Sequence, residues 1–146
     1  MKIQLNCHVS LAFTPLRLLV LFSGDGATIH LSPTGQDEPG CGKSAFKCKT
    51  IDYVLDKNTQ NNRTLILESS TTEILVYHLN KSFENRGRND QFSLRLIKDN
   101  KHGINPKING LLQRPFIDGV FKERRISIVI DSIDLYQVFL IQLRKR

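Results

Sequence analysis

Residues 28–58, TIHLSPTGQDEPGCGKSAFKCKTIDYVLDKN, constrain the fold more than any other part of the chain. Thr28-Ile29-His30-Leu31-Ser32 alternates in character and predicts a strand, which Pro33 and the turn at Gly35 stop. Further on, Ile51, Val54 and Leu55 fall at i, i+3 and i+4, with Thr50 available as an N-cap and Asp52 in the first turn. That spacing predicts a short amphipathic helix within 49–57. Its single apolar stripe must cover something, and the natural candidate is the exposed end of a sheet that follows. Between strand and helix, Cys41 and Cys48 are spaced to close a small loop that would stiffen the chain before the helix.

Beyond Asn58 the pattern changes to short β-prone runs separated by polar clusters, at 64–68, 73–79, 92–98, 106–110, 115–121, 126–133 and 138–143. Several alternate cleanly, as in Ser93-Leu94-Arg95-Leu96 and Arg125-Ile126-Ser127-Ile128, so one face of each points inward. Strand openings at Leu65, Leu94 and Ile126 recur about 30 residues apart, the spacing of a solenoid turn. A turn of that kind cannot bury its own inner face and must stack on a neighbour, so the helix is read as the lid of the first turn. Only Arg144-Lys145-Arg146 follows the last run, and the expectation is the first part of something longer, in one unit spanning 28–146.

Residues 1–27 have the outline of a signal peptide: Lys2, an apolar stretch at 18–22, then Ser23, Gly24, Gly26 and Ala27. Thr14, Pro15 and Arg17 interrupt the apolar run, and no stretch is long enough for a transmembrane helix. Removing this leader takes Cys7 with it and leaves the pair Cys41 and Cys48, an even count that suits a disulfide in an oxidising compartment. The triplets Asn62-Arg63-Thr64 and Asn80-Lys81-Ser82 are glycosylation sequons in polar surroundings, in keeping with an extracellular or cell-surface location. The net charge of +7 would attract polyanions, yet the basic residues are dispersed. No aromatic side chains interleave with them as a base-stacking platform requires, so a nucleic-acid partner is not expected.

Ser32-Pro33-Thr34-Gly35-Gln36-Asp37, Cys41-Gly42 and Cys48-Lys49-Thr50-Ile51 together resemble the start of right-handed parallel β-helix proteins of the pectin-lyase-like kind. Lys47 stands where that pattern usually has proline, and Pro106-Lys107-Ile108-Asn109-Gly110 resembles a later turn-and-strand step. The resemblance implies an all-β, right-handed parallel β-helix solenoid fragment with a short N-terminal capping helix. Members of such a family range from polysaccharide lyases and hydrolases to non-catalytic surface proteins, so the fold does not fix the function.

The residues do not name a reaction. Gly40-Cys41-Gly42-Lys43-Ser44 ends like a phosphate loop, but Asp37 stands at the first glycine position and Pro39 removes an N–H from the cradle. A glycosidase needs two carboxylates facing one groove. Asp131 with Asp134, and Asp118 with Asp131, are the candidate pairs, and neither is expected to act together without a bulge or a stacking the sequence does not show. Arg88, Arg95, Arg114, Arg124 and Arg125 offer cations for a lyase without a recognisable arrangement, and His30, His78 and His102 are isolated. No metal-ligand spacing accompanies the two cysteines. The expected function is a non-catalytic secreted or cell-surface scaffold for glycan or protein interaction, with no cofactor and no catalytic residues. The alternative is a carbohydrate-active enzyme whose catalytic residues lie mostly beyond Arg146.

Overall fold

A computed structural model describes residues 2–8, 26–57, 62–81, 83–85, 91–110, 115–120 and 125–144. Four strands lie parallel side by side: β2 (Ala27–Leu31), β3 (Asn62–Leu67), β6 (Gln91–Lys98) and β9 (Arg125–Asp131). A fifth strand, β1 (Lys2–His8), runs antiparallel along the outer edge of β9. Two smaller parallel sheets complete the β structure. One holds β4 (Val76–His78), β7 (Lys107–Asn109) and β10 (Asp134–Tyr136); the other holds β5 (Phe83–Asn85), β8 (Pro115–Val120) and β11 (Phe139–Arg144).

This arrangement corrects the expected all-β right-handed parallel β-helix solenoid. The described residues form a mostly-β fold of three separate sheets with one short helix and do not close into a solenoid. The large sheet is mixed, because its outermost pair is antiparallel. A spacing of about 30 residues between strand openings requires only that consecutive strands can lie parallel after a crossover. It does not require the linking segments to complete continuous coils.

The core follows from strand alternation and register. Ile29, Leu65, Leu96 and Ile130 occupy one row across β2, β3, β6 and β9, and all are buried. The next inward row runs Ala27, Arg63, Leu94 and Ile128, so a guanidinium replaces an aliphatic group in the second strand. Arg63 is only 3% exposed, and burial pulls its pKa down to about 10. Tyr77, Ile108 and Ile133 face the same core from the β4–β7–β10 side.

The helix α1 (Ile51–Lys57) buries Ile51, Val54 and Leu55 in this core, the stripe its spacing predicts. Thr50 Oγ1 accepts the Tyr53 N–H at 3.2 Å, which satisfies one of the first-turn donors. Asp37 fixes the helix start, its carboxylate accepting from the Lys49 and Thr50 N–H groups at 2.7 and 3.0 Å and from Thr50 Oγ1 at 2.6 Å.

The outer edge of β2 is closed by the loop that carries the cysteines. The His30 N–H donates to Gly42 O, the Cys48 N–H to His30 O, and the Ser32 N–H to Cys48 O, at 2.8–3.0 Å. A disulfide joins Cys41 to Cys48 with the Cα atoms 5.0 Å apart. Two glycines make the approach possible. A Cβ on Gly35 would lie 2.5 and 2.6 Å from the Cys48 and Lys47 carbonyl oxygens, and Gly42 has φ +112° with its missing Cβ pointed at Ile29.

Candidate interaction face

The β4–β7–β10 sheet puts alternate residues on opposite faces. Tyr77 and Ile108 point into the core and are buried, with half-buried Leu135 beside them in register. The outer face therefore carries two rows, Val76–Lys107–Asp134 and His78–Asn109–Tyr136. With parallel strands about 4.8 Å apart, the second row spans roughly 10 Å.

Tyr136 is 51% exposed, and Lys107 Nζ lies 4.1 Å from its ring centroid. That contact places a cation on one face of the ring. Beside it, Asn109 Oδ1 is shut off from solvent and has no hydrogen-bond partner among the described residues, while His78 at the far end of the row is exposed. Ile74 and Ile104, 57% and 38% exposed, lie in the segments leading into β4 and β7.

Local chain geometry holds this row in place. Ser132 and Gln137 flank β10 with φ of 59° and 54°, a left-handed conformation that non-glycine residues adopt sparingly. The Gly110 N–H donates to Tyr136 O at 2.9 Å, and a Cβ on Gly110 would meet Gln137 O at 2.7 Å. On the opposite strand the Leu79 N–H donates to Asn109 O at 2.8 Å.

An exposed phenol ring and an exposed imidazole in one row form a pair that can stack on an apolar ring face and exchange hydrogen bonds with hydroxyl groups. The sequence reading missed Tyr136. The signal was present in the run Asp134-Leu135-Tyr136, one inward residue between two outward ones.

The catalytic candidates do not converge. Asp118, Asp131 and Asp134 lie on β8, β9 and β10, which belong to three different sheets, and the chain turns at Ser132 between the last two. The backbone register of β5 and β8 instead sets Glu84 beside Asp118. Arg95 is exposed on β6, Arg125 opens β9, and Arg88, Arg114 and Arg124 lie outside the described residues. His30 is half-buried on β2, and His102 sits in an exposed turn. The Gly42-Lys43 string folds into a tight turn in which both N–H groups donate to Phe46 O. Among the described residues, no three His, Cys, Asp or Glu side chains gather as a metal-ligand set, and no helix is long and apolar enough to cross a membrane.

The two sequon asparagines differ in setting. Asn80 is exposed, with its N–H and that of Lys81 donating to the Asp52 carboxylate at 2.9 and 3.3 Å. Asn62 opens β3 half-buried, packed against Gly26, where an added Cβ would come within 3.0 Å of its Cγ. A further groove of about 340 Å³ lies between the disulfide and α1, lined by Ile29, Pro39, Tyr53 and Val54 with Glu38 and Lys57. No family model matches the chain, and neither a curated protein nor a solved structure does.

Proposed function

We propose that this chain is a non-catalytic, secreted or cell-surface β-rich scaffold that binds glycan on the outer face of the β4–β7–β10 sheet. The observation that carries the reading is the exposed Tyr136 ring, set in one outward row with the exposed His78. A sugar laid on the ring would offer its C–H face to the phenol, and a further unit along the row would offer a hydroxyl to the His78 imidazole. The row of His78, Asn109 and Tyr136 offers contacts to more than one sugar unit.

The Cys41–Cys48 disulfide supports an oxidising compartment. In this reading residues 1–27 act as the leader, and exported chains carry glycan at Asn80, whose side chain is exposed, in preference to Asn62. Binding of the purified protein to a panel of immobilised neutral and acidic polysaccharides tests the proposal. Tyr136→Ala should weaken the strongest interaction at least tenfold while leaving the unfolding midpoint in place. Equal binding by the variant, or no binding to any member of the panel, removes the face from the reading.

A further inference from the structure

Within the five-stranded sheet β1 is the exception. The β2–β3, β3–β6 and β6–β9 pairs are parallel, whereas β1 runs antiparallel to β9 through seven register pairs, from Lys2 with Asp131 to His8 with Arg125. Among the described residues it pairs only with β9, and it lies within the segment that has the leader outline. Hydrolysis of the chain at the end of that leader consumes one water, releases a carboxylate and an amine, and carries β1 away. The outer N–H and C=O groups of β9 then need another strand.

We propose that this edge then takes the β9 of a second copy, giving a two-fold dimer in which the two large sheets join edge to edge. A two-fold axis normal to the sheet makes the meeting strands antiparallel, the orientation that the outer edge of β9 already accepts from β1.

The sequence RISIVID is self-complementary in that orientation. Centred on Ile128, the pairing sets Arg125 opposite the partner's Asp131 at both ends, Ile126 opposite the partner's Ile130, and Ser127 opposite the partner's Val129. Opposite charges directly across an antiparallel pair are favourable, and like charges are not. Ile128 and Ile130 are buried inward residues, so this register extends the apolar rows of the core into the second copy. A slip of one residue would turn those isoleucines outward, and a slip of two would part the charged positions.

The trigger rests on the leader proposed above, but the competence of the edge does not, and the test separates them. In the full chain, Leu5→Pro removes β1 from the edge without any cleavage. The intact chain should sediment as a monomer at tens of micromolar and Leu5→Pro at twice that mass. Adding Arg125→Asp should weaken the dimer at least tenfold, and the exchange Arg125→Asp with Asp131→Arg should restore it. A Leu5→Pro chain that keeps its unfolding transition and stays monomeric overturns the proposal, as does a dimer indifferent to charge reversal. Should proline prevent folding, Ile3→Thr with Leu5→Thr weakens the same pairing and is read by the same outcomes. An intact N-terminus on secreted protein would remove only the trigger.

Discussion

The two edges of the large sheet are closed in different ways. On the β2 side a short loop supplies the missing hydrogen bonds, and a covalent bond between Cys41 and Cys48 holds that loop shut. On the β9 side the cover is a separate strand, β1, held by backbone pairing. A loop tied within eight residues stays beside the edge even when its hydrogen bonds break, whereas a strand paired through its backbone ladder has no such tie to that edge among the described residues. One edge is closed covalently, and the proposed dimer requires the other to be exchangeable.

The largest expected effect lies in the rows common to both edges. Leu96→Ala removes a buried side chain from the middle of the Ile29–Leu65–Leu96–Ile130 row and should cost about 3 kcal/mol in urea denaturation. If the loss is below about 1 kcal/mol, the row is not the shared core it is described as. Replacing both cysteines by alanine acts on one edge alone and should cost about 2–3 kcal/mol, with faster hydrogen exchange at His30 and Ser32 than at any β9 amide. Uniform loosening of the whole sheet would show that the clip is not local. Asp37→Ala leaves the disulfide but removes three hydrogen bonds at the helix start, for an expected loss of about 1–2 kcal/mol.

A smaller effect is linked to pH. Burial first, and then the charges of Glu68 and Asp99, push the Tyr77 phenol well above its ordinary value, while its hydroxyl donates to Leu31 O at 3.2 Å and Glu68 O at 3.0 Å. A phenol with a raised pKa in the folded chain contributes stability that is complete below the unfolded value of roughly 10 and is lost as the pH rises through it. The wild-type urea midpoint should therefore fall between pH 9 and 11.5 more steeply than that of Tyr77→Phe, and parallel curves would refute the assignment. Tyr136→Ala should change the midpoint least of all, by less than about 0.5 kcal/mol, because the side chain is exposed.

Features set by local spacing could be read from the sequence, and features set by long-range assembly could not. Ile51, Val54 and Leu55 announced α1, and the alternation around Leu65, Leu94 and Ile128 announced the strands of the large sheet. Cys41 and Cys48 were legible as a clip, but nothing local says that the clipped loop covers β2. β5 and β10 have three residues each, too few to show a period, and β1 was hidden in a segment read as a leader. The candidate face was illegible for the same reason. It gathers residues from positions 78, 109 and 136, which only the register brings side by side.

The left-handed residue at Gln137 follows Tyr136 directly, while the carbonyl of that tyrosine is engaged by Gly110. The backbone beneath the ring is thus committed before any visitor arrives. If the face binds as proposed, little backbone freedom is lost in the encounter, and changes at Gln137 or Gly110 should alter affinity without touching the ligand.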